Sequence, residues 1–169
     1  MDQLWAPWRL SYVTQPAKPT AESPDCFLCR GISEDDDRTN LIVRRTALSV
    51  VMLNRFPYNN GHLLIAPQAH KARPADISDA EHLDIQHLIR NMIGDIDRLM
   101  KPEGFNVGLN LGKVAGAGLP GHLHWHVVPR WNGDTNFMPV ITDTRVIVQS
   151  LDSLWELLVN NTVQTRQPK

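Results

Sequence analysis

The chain has 169 residues, of which 42% are hydrophobic and 21% are charged. This composition is typical of one globular domain with a real core and excludes a largely disordered chain. The formal net charge is −1, so no global positive field attracts nucleic acid, and any phosphate group must be recognised by a local site.

The N-terminal segment is predicted to be an extended arm. Residues 1–24 contain four prolines, which exclude a long helix, and Trp5 and Trp8 indicate that the arm docks on an apolar surface. No secretory signal pattern and no apolar run of about 20 residues is present, so we expect a cytoplasmic protein without a membrane partner. The expected organisation is this arm, one domain at 25–160 and a tail at 161–169.

Short runs rich in β-branched residues predict an antiparallel sheet. The first two runs follow each other almost directly, as in a hairpin, and the third follows the turn signal Pro-Tyr-Asn-Asn-Gly. A glycine-rich segment at 112–121 joins two later runs. The predicted strands are residues 41–45, 47–53, 62–66, 105–111, 122–128 and 145–149.

One long helix is predicted to cover this sheet. Ser78 and Glu81 form a capping box at its start, apolar residues then recur at helical spacing, and Pro102 follows its end. A second, short helix is predicted at 151–159. These elements predict an α+β fold, with an antiparallel meander, one long helix and a short C-terminal helix.

Three histidines alternate with apolar residues in the segment Gly-His-Leu-His-Trp-His-Val-Val-Pro at 121–129. On a strand, His122, His124 and His126 would line one face at intervals of roughly 6–7 Å. That spacing fits a chain of phosphates better than a single ion. Neutral imidazole can attack phosphorus, and a neighbouring imidazole can protonate a leaving oxygen. The residues predict covalent catalysis, with a three-histidine zinc centre as the alternative.

The motif His-φ-His-φ-His-φ-φ, in which φ is apolar, resembles the signature of the histidine triad (HIT) family. The segment 53–67 is similar to that family's first nucleotide-binding segment, and Gly-Leu-Asn-Leu-Gly at 108–112 resembles the strand before its triad. The similarity covers most of residues 26–150. The resemblance implies a HIT-like fold and an enzyme that cleaves nucleotide phosphate esters or anhydrides through a nucleotidyl-histidine intermediate.

The resemblance also implies a role for each matching residue. His124 is implied to be the nucleophile, His126 to bind and polarise the phosphate, and His122 to support the site as the first triad histidine. Arg9, Lys113 and Arg130 are candidates for steering a polyphosphate. The implied nucleotide-binding residues are Asn54, His62, Asn110, Gly118 and His126.

The segments on either side of the histidine motif indicate which branch of the HIT family the chain resembles. Many nucleoside phosphoramidases of the family carry a Gln and a Ser shortly before the triad, but this chain has neither at 115–121, where glycines can present backbone amides to a phosphate. Segments 4–9 and 130–137 instead resemble the bacterial diadenosine tetraphosphate phosphorylase branch. This resemblance implies an adenine nucleotide or dinucleoside polyphosphate substrate, inorganic phosphate or water as acceptor, and a homodimer. A phosphoramidase and a nucleotide-binding adaptor with little catalysis are the alternatives.

Cys26 and Cys29 are separated by the two-residue gap that lets both sulfurs bind one metal ion. Two cysteines are too few for a disulfide framework, and no thioredoxin-like pattern surrounds them. A redox pair and unliganded thiols remain open from the residues alone. The resemblance to zinc-containing triad proteins and to galactose-1-phosphate uridylyltransferases implies that His70 and His122 complete a closed, structural zinc site.

Overall fold

A five-stranded antiparallel sheet carries the fold in the computed structural model, which describes residues 26–142 and 146–161. The sheet order is β1-β2-β3-β5-β4. The predicted α+β class is confirmed, and the meander runs through the first three strands, after which β5 lies between β3 and β4. The strands are β1 (Ile42–Arg45), β2 (Ser49–Leu53), β3 (Leu63–Pro67), β4 (Gly104–Leu109) and β5 (Trp125–Arg130).

The long helix and the C-terminal helix form where the sequence predicts them. The Ser78 side chain accepts a hydrogen bond from the amide of Glu81, whose carboxylate accepts one from the amide of Ser78, so the capping box is confirmed. Two shorter helices were not predicted, because one or two turns carry no periodic pattern. The helices are α1 (Phe27–Ser33), α2 (Asp79–Met100), α3 (Met138–Thr142) and α4 (Leu151–Asn161).

The two faces of the sheet bury different partners. Leu63 and Ile65 of β3, with Trp125 and Val127 of β5, belong to the core that includes residues of α2 and α4. Residues of the opposite parity on β1, β2 and β3 pack against Leu28 of α1. Because successive side chains alternate across a strand, the even-numbered residues of β3 and β5 face away from the long helix. This parity places His126 on the face that α2 leaves uncovered.

The segment with the three histidines departs from the prediction. β5 begins at Trp125, so His122 and His124 precede the strand and do not line one strand face with His126. The amide of Leu123 donates instead to the carbonyl of Lys71 at 2.6 Å. The chain therefore reaches β5 through an irregular segment, in which tertiary contacts override the alternating pattern.

Other boundary predictions have mixed outcomes. Residues 146–149 do not form the predicted strand, and Arg145 lies outside the described residues. The predicted arm at 1–24 and nearly all of the tail at 161–169 also lie outside them, so the domain organisation stays a prediction. Within the described ranges, no helix combines the length and apolar character needed to cross a bilayer.

Gly61 ends the turn between β2 and β3 in a conformation that favours glycine. Its φ is +79°, and a Cβ atom at this position would lie 2.9 Å from Cγ of Pro129 at the end of β5. We expect Gly61→Ala to lower the free energy of unfolding by about 2 kcal/mol, because it adds both backbone strain and a clash. Denaturant titration measures this change.

Gly94→Ala is the matched control, because Gly94 lies on the exposed side of α2 and a Cβ there meets no atom within 4 Å. It should raise the free energy of unfolding by about 0.5–1 kcal/mol through helix propensity. Equal effects of the two substitutions would contradict the assigned conformation of Gly61.

Candidate active site and metal cluster

His124 is buried, and a backbone hydrogen bond fixes its ring. Its Nδ1 lies 2.7 Å from the carbonyl oxygen of His122. A carbonyl only accepts, so Nδ1 carries the proton and Nε2 retains its lone pair. Burial lowers the pKa of His124 and outweighs the opposing effect of this hydrogen bond. The ring is therefore neutral near pH 7, which is the form that attacks phosphorus.

A relay of hydrogen bonds sets the tautomer of His126. The amide of Tyr58 donates to Nδ1 of His62 at 3.0 Å, so in the neutral His62 ring the proton lies on Nε2. His62 Nε2 then donates to Nδ1 of His126 at 2.9 Å. The remaining proton of His126 is consequently on its Nε2.

The Nε2 atom of His126 is buried and has no hydrogen-bond partner within the described part of the chain. Burial, followed by the proximity of His124, lowers the pKa of His126 to about 4. A buried N–H group without a protein acceptor is unfavourable unless a ligand supplies the acceptor. A phosphate oxygen has the required chemistry.

The two rings are close enough to act on one group. The ring centroids of His124 and His126 are 5.1 Å apart, with an angle of 64° between the ring planes, and Tyr58 stacks on His126 with centroids 5.7 Å apart. An Nε2 lone pair and an Nε2–H donor are therefore carried by neighbouring rings. This pairing suits nucleophilic attack with simultaneous stabilisation of the attacked group.

The structure brings most of the predicted nucleotide-binding residues to this face. Asn54 follows β2, and its side-chain amide lies 3.3 Å from Nδ1 of His62. Asn110 follows β4 and donates to the carbonyl of Gly116 at 3.4 Å, which ties the glycine-rich segment to the sheet. Gly118 lies exposed in that segment.

Cys26, Cys29, His70 and His122 form a second group, in which the four ligand atoms lie within 4.8 Å of one another. His122 Nδ1 is 3.3 and 3.4 Å from the two sulfurs, and His70 Nδ1 is 3.1 Å from Cys29 Sγ. Tetrahedral zinc separates neighbouring sulfur and nitrogen ligands by roughly 3.5 Å. The four residues therefore fit a single metal ion.

The orientation of His122 supports metal binding by its Nδ1 atom. Nε2 donates to the carbonyl of Pro67 at 2.9 Å, so Nδ1 presents its lone pair to the sulfurs. Burial, together with Cys26, raises the pKa of the Cys29 thiol to about 11. His122 has no exposed surface, and its ring faces the sulfurs. The three histidines of the motif thus do not converge on one ion.

The sequence analysis did not predict that Tyr58 holds His62 and stacks on His126. It also did not predict a polar network around Arg130, towards the end of β5. Arg130 pairs with Asp134 at 2.6 Å and donates to Oδ1 of Asn106 at 2.7 Å, while Asn59 donates to Asp134 at 2.8 Å. These residues come from a turn, two strands and the segment after β5. No short sequence pattern joins them, since only the folded sheet brings them together.

The fold and the site define a class of α+β protein in which neighbouring histidines lie at an antiparallel sheet. The HIT domain family matches residues 36–133 of this chain. The protein belongs to the HIT family, as the sequence predicts.

Three relatives show how far the similarity extends. Proteins named AP-4-A phosphorylase in two strains of Mycobacterium tuberculosis are 38% identical over 99% of this chain and 87% of theirs. An adenosine 5′-monophosphoramidase of Schizosaccharomyces pombe is 31% identical over 63% of this chain and 75% of its own.

The crystal structure of a Zn-bound histidine triad family protein from Mycobacterium smegmatis superposes with a TM-score of 0.66. It is 22% identical and covers 81% of this chain and 92% of that one, so it supports the fold alone. The structural similarity confirms the fold prediction. The family match and the named relatives confirm the prediction of a HIT-type enzyme.

The burial of His126 predicts a pH-dependent stability. Its pKa is about 4 in the folded protein, against 6.5 for the unperturbed ring. The unfolded chain therefore binds more protons between these values, and the free energy of unfolding should fall as the pH falls from about 6.5 towards 4. His126→Gln should make this decrease smaller in denaturant titrations across the same range.

His87→Gln is the control, because it removes an exposed ring on α2. It should leave the pH dependence unchanged. An identical decrease in the His126→Gln variant and the parent protein would contradict the assigned environment of His126.

Proposed function

We propose that the protein is a dinucleoside polyphosphate phosphorylase that acts through a nucleotidyl-histidine intermediate on His124. The observation that carries the proposal is the neutral ring of His124, with a lone pair on Nε2, beside the ring of His126, whose buried Nε2–H has no partner among the described residues. The similarity to the AP-4-A phosphorylases over 99% of the chain supports the substrate class. The intact pair of rings favours catalysis over a role as a nucleotide-binding adaptor.

In the first step, His124 Nε2 attacks the α-phosphorus of the substrate. A bond forms between Nε2 and phosphorus, and the bond from phosphorus to the bridging oxygen breaks. The leaving polyphosphate takes the electron pair, while His126 Nε2–H donates to an oxygen of the reacting phosphate. His62 keeps the donor of His126 in this orientation through the 2.9 Å hydrogen bond.

In the second step, an oxygen of inorganic phosphate attacks the same phosphorus and releases His124. With diadenosine tetraphosphate, the products are ATP from the first step and ADP from the second. Attack by water in place of phosphate would yield AMP. Asn54, Asn110 and Gly118 are proposed to contact the nucleotide during both steps.

An adenosine 5′-monophosphoramidase activity is the second candidate. The yeast relative of that name supports it, since it is 31% identical over 63% of this chain. The proposed attack by His124 on the α-phosphorus would serve both reactions, which differ in the leaving group and the acceptor.

The four-residue cluster is proposed to hold a structural zinc ion, because two sulfurs and two imidazoles fill a tetrahedral coordination sphere. The ion would link α1 to the residues that precede β5. It would provide structural cross-linking, and no open coordination position would remain for substrate.

The proposed assembly is a cytoplasmic homodimer joined through β4. This strand ends the sheet, and Asn106, Val107 and Gly108 are exposed along it. The opposite edge differs, because the Trp155 indole donates to the carbonyl of Ile42 on β1 at 2.7 Å. An uncovered edge strand favours pairing with another chain.

Product analysis tests the reaction. Incubation with diadenosine tetraphosphate should yield ADP and ATP only when inorganic phosphate is present. His124→Ala should lower the rate by on the order of 10⁴-fold or more, because it removes the nucleophile. Circular dichroism should show that the variant keeps its fold.

His87→Ala, which removes an exposed histidine on α2, should retain the parent rate. AMP and ATP without phosphate would replace the phosphorylase with a hydrolase. Normal turnover by His124→Ala would overturn the mechanism, and cleavage of adenosine 5′-phosphoramidate alone would favour the second candidate.

Removal of the metal tests the zinc proposal. The purified protein should contain one zinc ion per chain, and a strong chelator should lower its Tm by several degrees. Cys29→Ser should lower both the zinc content and the Tm, because it removes one of the four ligands.

Chelation of the Cys29→Ser variant should then cause little further change, which serves as the internal control. Replacement of zinc by cobalt should leave kcat unchanged if the ion is structural. A metal-free parent protein whose Tm is insensitive to the chelator would refute the proposal.

A further inference from the structure

A cavity of about 400 Å³ lies beside His126 on the same face of the sheet. Val128 and Arg130 of β5 line it, and their even numbers place them on the face that carries His126. Tyr58 also lines it and stacks on the ring of His126. The cavity therefore begins one side chain away from the proposed reaction centre.

The outer wall of the cavity comes from the segment after β5. Thr135, Asn136 and Pro139 line this side, together with Val146 and Ile147. The HIT domain match ends at residue 133, whereas the similarity to the AP-4-A phosphorylases extends over 99% of the chain. The wall thus lies outside the matched family domain and within the part shared with those relatives.

The charges in the cavity compensate each other. Arg130 and Asp134 form a bidentate ion pair with N–O distances of 2.6 and 2.9 Å. The hydrogen bonds from Arg130 lower the pKa of the Asp134 carboxyl, so this group is ionised near neutral pH. Arg130 and Asp134 are the only charged side chains among the described lining residues. The described lining residues thus carry no net positive charge, which suits an uncharged polar ligand better than a phosphate group.

We infer that this cavity is a subsite for the second nucleoside of a dinucleoside polyphosphate, the half that leaves with the distal phosphates. The inference rests on the proposed function and specifies its substrate class. A nucleoside combines an uncharged aromatic base with a hydroxylated sugar. Tyr58 and Val128 provide apolar contact for the base, and Asn59, Asn106 and Thr135 are polar.

The dimensions of the cavity agree with this occupant. Its volume falls in the range of small-molecule sites. Arg130 is four residues beyond His126, which corresponds to about 13 Å along the strand. This interval leaves room for a phosphate chain between the α-phosphate at His126 and a nucleoside held near Asn106 and Arg130.

Asn106 is the residue that tests the subsite most directly. Its Oδ1 accepts a hydrogen bond from Arg130 Nη1 at 2.7 Å, so the group that Asn106 offers to a ligand is the Nδ2 donor. The side chain is exposed on β4, the strand proposed to join the dimer, so circular dichroism and gel filtration should show that its replacement leaves the fold and the assembly unchanged. Asn106→Leu removes this donor at nearly constant size, together with the acceptor of Arg130, which stays paired with Asp134.

The experiment compares two substrates that share the same reacting half. Asn106→Leu should lower kcat/KM for diadenosine tetraphosphate by about tenfold, mainly through KM, since one hydrogen bond to bound substrate is lost. It should leave kcat/KM for adenosine 5′-phosphoramidate unchanged, because that substrate has no second nucleoside. Gln86→Leu, which removes an exposed amide on α2, should affect neither substrate.

Thr135→Trp provides a second test by filling the cavity from its outer wall, and it should produce the same substrate-dependent loss. The subsite is overturned if, in both variants, kcat/KM falls equally for the two substrates or falls for neither. The proposed function is not affected by either outcome. If the parent protein cleaves neither substrate, both the proposed function and the subsite are overturned.

Discussion

The hydrogen bond between His124 Nδ1 and the carbonyl oxygen of His122 joins the two parts of the site. The side chain of His122 faces the sulfurs of Cys26 and Cys29, while its carbonyl fixes the ring of His124. This segment precedes β5 and receives no support from the strand ladder. The four-residue cluster therefore positions the ring of His124, the proposed nucleophile. A structural role for the proposed ion is thus compatible with a strong effect on the proposed catalysis.

Strand parity separates His126 from the larger hydrophobic core. Trp125 and Val127 bury against the layer of α2 and α4, whereas His126 between them faces the opposite side, next to Leu64 of β3. A shift of one residue in the register of β5 would exchange these roles and bury the histidine in the core. The packing that stabilises the sheet is consequently the interaction that orients His126.

Local patterns predicted α2 and the hairpin of β1 and β2, because capping and β-branched runs are readable in a sequence. The grouping of Asn54 with His62 followed from the resemblance to the HIT family. The place of β5 between β3 and β4 was not predicted, since antiparallel strands can pair in either order. His122 was wrongly assigned to a strand, because its alternation with apolar residues is typical of one. The ring of His122 instead contacts the Cys26 sulfur and the carbonyl of Pro67, both distant in sequence, which the local pattern does not reveal. The tautomer of His126 depends on the backbone amide of Tyr58, which no side-chain pattern reveals.

The described groups around His126 carry little net charge near neutral pH. The pKa of His126 is about 4, so its ring is neutral above that pH, and the positive charge of Arg130 is compensated by Asp134. A neutral imidazole can approach an anionic phosphate without the repulsion that a carboxylate or thiolate would experience. In the proposed reaction, the attack places positive charge on the ring of His124. The carbonyl oxygen of His122 already accepts a hydrogen bond from Nδ1–H, with the two heavy atoms 2.7 Å apart. The positive charge therefore develops against a dipole that is in place before the bond forms.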